Sequence, residues 1–378
     1  MNKYLFICGS RGEWGYIRPI IDIFKKNKIK YSIIATNMLL LSSHGKLINE
    51  IKKKGYNVSD EIFMSLEGSN YFSMTKSLSV LLNSLVDIIV RIKPTWLILA
   101  GDRGEQLMGA IAAAYTYTPL AHIQAGERSG NIDGVTRHAI AKFVHLHFST
   151  NLDATNRLLK SGEERFRVKQ VGAPQLDEIK NKKFLNYNSL IKIYGETIKK
   201  KYILVIFHPV TEEFKNIKKQ IKILINSLKD INLKKIWIFP NNDAGSEIIK
   251  NEILLSRDVS TFVYSNLSRE HYLSLLKYSE FIIGNSSSGL IEAPSFAKPA
   301  INIGRRQKDR VRGKNVIDLK FDESLIKRAI KKACSKKFRD KISKLKNPYG
   351  DGNSSYRILK ILENLKIDDK LLVKRMTY

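Results

Sequence analysis

Residues 96–138 read WLILAGDRGEQLMGAIAAAYTYTPLAHIQAGERSGNIDGVTRH, and the alternation inside this stretch decides the fold. Two apolar runs, Trp96 to Ala100 and Pro119 to Ile123, flank an alanine-rich segment with helical spacing. Strands that are apolar on both faces belong in a parallel sheet covered by helices. Each run ends in small and charged residues, as strands do when they deliver polar groups to the carboxyl edge of a sheet, where ligands of such sheets bind. Asp102, Arg103, Glu105, Glu127, Arg128, Asp133, Arg137 and His138 crowd into this stretch. A core cannot hold that many titratable groups without partners, so the stretch predicts a site.

Strand and helix alternate on both sides of it. YLFIC (residues 4–8) runs through GSRGEWGYIRP into a helix, and YSIIAT, EIFMSL, HLHFSTN and FRVKQVGAP read as further strands. Apolar residues at helical spacing over 71–92 predict a helix whose leucines and valines form a core stripe. The first half, 1–174, is therefore expected to be a doubly wound parallel α/β sheet. A polar, lysine-rich helical stretch over 175–200 marks the hinge. YILVIFHPV, IWIFP, FVYS, FIIG and PAINIG repeat the plan in a second lobe, 175–353, and SSYRILKILENLK predicts an amphipathic helix in 354–378 that crosses back to the first lobe. Two such lobes imply a ligand cleft between their sheet edges.

Composition narrows the function. The 378 residues carry a net charge of +29, but the basic residues are mostly lysines scattered over helical faces. Nucleic-acid readers interleave arginine and aromatics along one element, and no such element is visible here, so a nucleic-acid partner is not expected. No apolar run approaches the roughly 18–20 residues that span a bilayer, and no signal peptide is evident, so a cytoplasmic protein without a membrane partner is expected. Cys8 and Cys334 are too few and too far apart for a disulfide framework or a zinc site. Glycines 9, 12 and 15 miss the dinucleotide fingerprint, although Gly9-Ser10-Arg11 offers a strand-to-helix turn and a cation to a phosphate.

A second anion site is legible near the end. The run Gly284-Asn285-Ser286-Ser287-Ser288-Gly289 follows an apolar strand and precedes a helix, so backbone amides and hydroxyls can approach a phosphate. Glu292, one turn inside that helix, is spaced to accept hydrogen bonds from ribose hydroxyls. Arg305, Arg306, Arg310 and Arg312 cluster after the next strand in a lysine-dominated chain, which points to bidentate phosphate recognition.

Together these motifs resemble the UDP-N-acetylglucosamine 2-epimerase family, hydrolysing branch. The resemblance runs over nearly the whole chain: Gly9-Ser10-Arg11, Ala100-Gly101-Asp102-Arg103, His122-Ile123 through Asp133 to Arg137-His138, Phe207-His208-Pro209, Pro240 to Gly245, the serine loop with Glu292, and Gly304-Arg305-Arg306-Gln307 with Asn315-Val316. It implies two Rossmann-like lobes in a glycosyltransferase-B arrangement with the site in the interlobe cleft. It implies that Arg11, Arg103, Ser286, Ser287, Gly289 and Arg306 hold the nucleotide diphosphate, that Glu292 takes the ribose, and that Tyr272 and Leu267 lie against the uracil. Asp102, Asp133 and His208 would face the sugar, with Arg137 and His138 supporting the carboxylates. The implied chemistry is elimination of UDP from a UDP-2-acetamido sugar to a glycal, followed by hydration that inverts C2 and releases the free manno-configured sugar. Such chemistry needs two ionisable groups on different faces of the ring, here Asp102 and Asp133, with His208 as proton carrier or clamp. Arginines already neutralise the phosphates, so neither metal nor cofactor is expected. Dimers or tetramers are implied by the relatives.

Three positions depart from the family pattern. Gln124 stands where His-Ile-Glu is usual, so Glu127 is expected to stand in as the acid; an Asp-Asp pair becomes Asp133-Gly134; and Thr-Gly-Met-His becomes Thr36-Asn37-Met38-Leu39. The last change suggests a less polar pocket wall and a 2,4-diacetamido-6-deoxy sugar, UDP-N,N′-diacetylbacillosamine, as an alternative to UDP-N-acetylglucosamine. A non-hydrolysing epimerase and a glycosyltransferase of the same architecture are the rival readings.

Overall fold

The computed structural model describes residues 3–68 and 70–378. It divides into two compact α/β units. The first comprises residues 1–128, 132–180 and 349–378, and the second comprises 129–131 and 181–348.

In the first unit seven parallel strands, β1 (Lys3–Cys8), β2 (Lys30–Thr36), β3 (Val58–Ile62), β4 (Trp96–Ala100), β5 (Leu120–Ala125), β6 (Leu146–Ser149) and β7 (Val168–Gln170), take the order β3-β2-β1-β4-β5-β6-β7. The reversal of strand order between β1 and β4 is the switch point at which open parallel sheets bind ligands. Phe6 pairs with Ile98, and continuing that register sets the Gly9 turn beside the Gly101 turn. Gln106 ties the two strand ends together, accepting from the Ala100 N–H at 3.0 Å and donating to the Ile7 carbonyl at 3.2 Å. All five β4 residues are fully buried, as the unbroken apolar run requires, each large side chain contributing roughly 1.5–3 kcal/mol of transfer free energy.

The Tyr71–Ile92 helix buries a narrow stripe, Ser73, Ser77, Leu81, Leu85 and Ile89, at intervals of one turn. Leu78, Leu82, Ile88 and Ile92 pack partly buried against the same core, but Val80, Val86 and Val90 are exposed, so the leucines form the expected stripe and the valines do not. Length and composition alone would let this helix cross a membrane.

Six parallel strands build the second unit: β8 (Tyr202–Ile206), β9 (Lys234–Ile238), β10 (Thr261–Tyr264), β11 (Ile282–Gly284), β12 (Ala300–Ile303) and β13 (Val316–Leu319), in the order β10-β9-β8-β11-β12-β13. The switch point lies between β8 and β11. Gly284 is required there: φ is +134°, and a Cβ would come within 1.9 Å of the Ile206 carbonyl oxygen.

The unit boundaries differ from those read from the sequence. The first unit runs on past residue 174 to Lys180 because Arg18 Nε donates to Glu178 at 2.6 Å, and because Asp177 accepts from the N–H groups of Ser354 and Ser355 at 3.0 and 2.7 Å. That same carboxylate caps the Ser354–Asn364 helix, whose Ile358, Leu359 and Leu362 enter the first unit's core, so the C-terminal segment belongs there from residue 349 onward. The 175–200 stretch also carries more core than its polarity suggested, since Leu190 and Ile198 pack into the second unit.

Candidate functional site

The first unit gathers its polar groups at the switch point. Ser10 caps the Arg11–Lys26 helix, its Oγ accepting from the Glu13 N–H, so partly exposed Arg11 opens that helix directly after β1. After β4, Gly101 turns the chain at φ +91° and presents Asp102 and Arg103. His122 on β5 fixes that turn: its Nε2 lies 2.6 Å from the Gly101 carbonyl, and burial pulls its pKa down to about 3. The ring is therefore neutral, with Nε2–H donating.

Arg137, fully buried on the Ile132–Phe143 helix, forms an ion pair with Asp102. Asp133 occupies the first turn of that helix, partly exposed and four residues before Arg137, hence on the same helical face. One helix thus carries one expected acid and holds the other through its arginine. His138 lies half-buried beside them, its pKa lowered by burial and by the cations Arg137, Arg157, Lys142 and Arg128.

Arg103 lies over Glu105, Nε to Oε2 at 3.3 Å. Glu105 in turn takes a short hydrogen bond from Asn37, whose other amide atom accepts from Ser65 at 3.0 Å. Asn37 adopts φ +48°, the left-handed conformation that explains a glycine at this place in the family pattern. Leu39 corrects a sequence reading: it is completely buried in the first unit's core and lines no pocket wall.

Gln124 is also fully buried, at a register break between Ile123 and Ala125, with φ +61°. Its Nε2 donates to Gln175 at 3.1 Å, while its Oε1 has no hydrogen-bond partner among the described residues. A strained backbone and an orphaned acceptor at one residue are costs that a fold tolerates mostly at functional positions. Glu127 is buried and engaged, accepting from Thr150 and, at 3.0 Å, from Asn151, which caps the Leu152–Lys160 helix. The sequence alone could not show that this carboxylate braces the β6 turn.

In the second unit Asn285 bridges the switch point. It accepts from the His208 N–H at 2.7 Å and donates to the His208 carbonyl at 2.8 Å. His208 Nδ1 accepts from the Asn241 N–H at 3.2 Å, which leaves the proton of a neutral ring on Nε2.

Ser286 and Ser287 follow, partly exposed, but the helix after them is only Ser288–Ile291, broken by a 3-10 turn at Ala293–Phe296 where Pro294 cannot continue it. The expected longer helix is absent and Glu292 closes the single turn, so the donors this stretch could offer an anion are loop amides and hydroxyls. Gly289 serves packing: a Cβ there would lie 3.1 Å from that of Ala300.

Of the four clustered arginines, Arg305 is spent on Glu213 (2.8 Å), Arg312 on Asp318 (2.5 Å) and Arg310 on Gln307 (2.9 Å). Arg306 donates to the Asn285 carbonyl at 3.3 Å and keeps a buried Nε without a hydrogen-bond partner among the described residues. Leu267 and Tyr272 are half-buried against the second unit's core, and the Tyr272 hydroxyl hydrogen-bonds Ser288. Glu292 pairs with Arg269 at 2.7 Å, a partner the sequence reading missed; an arginine at the first position of a helix was the available signal.

The model of the family described as UDP-N-acetylglucosamine 2-epimerase matches residues 22–363. The hydrolysing UDP-N,N′-diacetylbacillosamine 2-epimerase of Legionella pneumophila is 34% identical over 100% of both chains. The hydrolysing GDP/UDP-N,N′-diacetylbacillosamine 2-epimerase of Campylobacter jejuni is 34% identical over 89% of each. Among solved structures, the UDP-GlcNAc 2-epimerase of Neisseria meningitidis bound to UDP-GlcNAc superposes with a TM-score of 0.81 at 20% identity, covering 96% of this chain and 100% of that one, which supports the fold alone.

Proposed function

The chain belongs to the UDP-N-acetylglucosamine 2-epimerase family, and from that premise we propose that it is a hydrolysing nucleotide-sugar 2-epimerase acting on UDP-N,N′-diacetylbacillosamine. The observation that carries the reading is the end-to-end likeness, at 34% identity, to an enzyme of that name. The choice of the diacetamido sugar over N-acetylglucosamine rests on the two relatives so named, since buried Leu39 contributes nothing to it.

In the proposed mechanism the second unit takes the nucleotide. Ser286, Ser287 and the spare Nε of Arg306 bind the diphosphate, Glu292 accepts from the ribose, and Tyr272 with Leu267 flank the base. The first unit acts on the sugar. One of Asp102 and Asp133 removes the C2 proton as the C1–O bond breaks, the bond's electrons leaving on the diphosphate and a 2-acetamidoglycal remaining. The other carboxyl delivers a proton to C2 from the opposite face while water adds at C1, so C2 is inverted and the sugar is free. Arg137 holds Asp102 in place, and cations Arg11 and Arg103 stabilise the departing anion. His208 offers its Nε2–H to the same charge.

Incubation of the purified chain with UDP-N,N′-diacetylbacillosamine and with UDP-N-acetylglucosamine, followed by NMR of the anomeric carbon, tests the reading. UDP and a free manno-configured sugar, formed faster from the first substrate, are expected. An intact epimerised UDP-sugar would assign the chain to the non-hydrolysing branch, and turnover only with an added acceptor would make it a glycosyltransferase.

A further inference from the structure

The Arg269–Tyr278 helix breaks the electrostatic rule for its own start. Directly after the Ser268 cap stands an arginine, and a cation in the first turn opposes the helix dipole. Glu270, the next residue, supplies the acid that the helix start favours, so the start itself gives no role to Arg269, and its role is sought in what its side chain touches outside its own element. Arg269 is not turned out to solvent. Its side chain is 12% exposed, and Nη1 lies 2.7 Å from Oε1 of Glu292, whose side chain is 8% exposed. Its guanidinium carbon stands 5.8 Å from the centroid of the Tyr272 ring. Tyr272 in turn hydrogen-bonds Ser288, the first residue of the single turn that Glu292 closes. Arg269 thus holds the Glu292 carboxylate directly, while Tyr272 and Ser288 tie the helix of Arg269 to the turn that Glu292 closes. Desolvating both charges offsets most of their attraction, so the pair is better explained by the geometry it fixes than by stability.

We propose that Arg269 is a positioning residue that makes the second unit select ribose over 2-deoxyribose in the nucleotide it takes. The inference rests on the reading of Glu292 as the ribose acceptor. A carboxylate has about four acceptor sites, and Arg269 occupies only part of them. With its plane held, the rest can receive both hydroxyls of a vicinal diol. A 2-deoxyribose supplies one hydroxyl and leaves an acceptor lone pair desolvated and unmatched, which is how a polar site rejects an analogue. A carboxylate free to rotate would satisfy itself with water or with the remaining hydroxyl, and the two sugars would bind alike. The guanidinium fork, unlike an ammonium, fixes orientation as well as charge.

Calorimetric titration of the full chain with UDP and with 2′-deoxy-UDP, for wild type, R269A, R269K, E292Q and the R269A/E292Q double variant, tests this without turnover. Wild type is expected to favour UDP by roughly tenfold or more, and R269A to lose most of that ratio through weaker UDP binding, the deoxy nucleotide changing less than about twofold. R269K, which keeps the cation, should recover part of the ratio, and adding E292Q to R269A should change it no further. An R269A protein with the wild-type ratio, or with both nucleotides weakened equally, overturns the inference while leaving the functional reading intact. Wild-type protein that binds neither nucleotide overturns the functional reading, and the inference with it.

Discussion

Glutamate 13 gives a prediction that depends on one group and one slope. It is 2% exposed, its Oε2 accepts from the Gly9 N–H at 2.5 Å, and it lies beside Glu105. Burial first, and then the charge of Glu105, push its carboxyl up to about 8, against the lowering influence of Arg103, the Gly9 N–H and Gln106. The neighbouring Cys8 thiol is pushed up as well, so it stays neutral over the same range. In the unfolded chain Glu13 ionises near 4.5; in the folded chain it keeps its proton until about 8. Between those values the folded state binds one more proton than the unfolded state, so this group makes stability fall by about 1.4 kcal/mol per pH unit as pH rises. Glu13→Gln keeps a neutral acceptor for Gly9 and removes the titration. The stability difference, Gln minus Glu, should therefore grow by about 3 kcal/mol between roughly pH 5.5 and 7.5. Urea unfolding followed through buried Trp14 and Trp96 measures it, and the carboxylates that do not interact with Glu13 cancel in the difference. A difference that stays flat across that interval would refute the argument and show that Glu13 is ionised in the fold.

Three further outcomes follow from the site. Asp133→Asn should lower kcat by about a hundredfold or more while UDP affinity, measured by calorimetry, changes less than about threefold, because the carboxylate moves a proton and holds no phosphate. Arg137→Met leaves Asp102 without its counter-ion in a largely desolvated spot and should cost roughly 2–4 kcal/mol of folding stability, together with most of the turnover; Arg137→Met with wild-type Tm and kcat would sever that helix from the chemistry. Arg306→Ala should weaken UDP about tenfold, whereas Arg305→Ala, already committed to Glu213, should change it less than about twofold; equal effects would mean that the arginine loop acts only as diffuse charge.

Most strands were legible because they are apolar on both faces; β3 was not, since it runs over the polar Val58–Ile62 and overlaps EIFMSL only at Glu61 and Ile62. Trp96–Ala100 is buried at every residue, and a run of that kind has few other structures open to it. The switch-point turns were legible for the same reason: where the apolar run stops, the chain must turn, and Gly101 and Gly284 supply the backbone freedom. What the sequence concealed was who pairs with whom. Glu127 reads as a spare acid, yet its oxygen is engaged by Thr150 and Asn151, over twenty residues away. Leu39 reads as a pocket wall because its family counterpart is polar, yet it points into the core. Four neighbouring arginines read as equals until three of them find partners at Glu213, Asp318 and Gln307. Pairing across sequence is a property of tertiary packing, and no periodicity encodes it.

In the proposed mechanism C1–O cleavage precedes hydration at C1, with proton exchange at C2. Turnover of UDP-N,N′-diacetylbacillosamine in deuterated, oxygen-18-enriched water, read by mass spectrometry of both products, tests that claim directly. A free manno-configured sugar carrying one solvent deuterium at C2 and one solvent oxygen at C1, with UDP free of the label, is the expected outcome. Heavy oxygen in UDP, or an inverted sugar that retains the substrate's own C2 hydrogen, would contradict it.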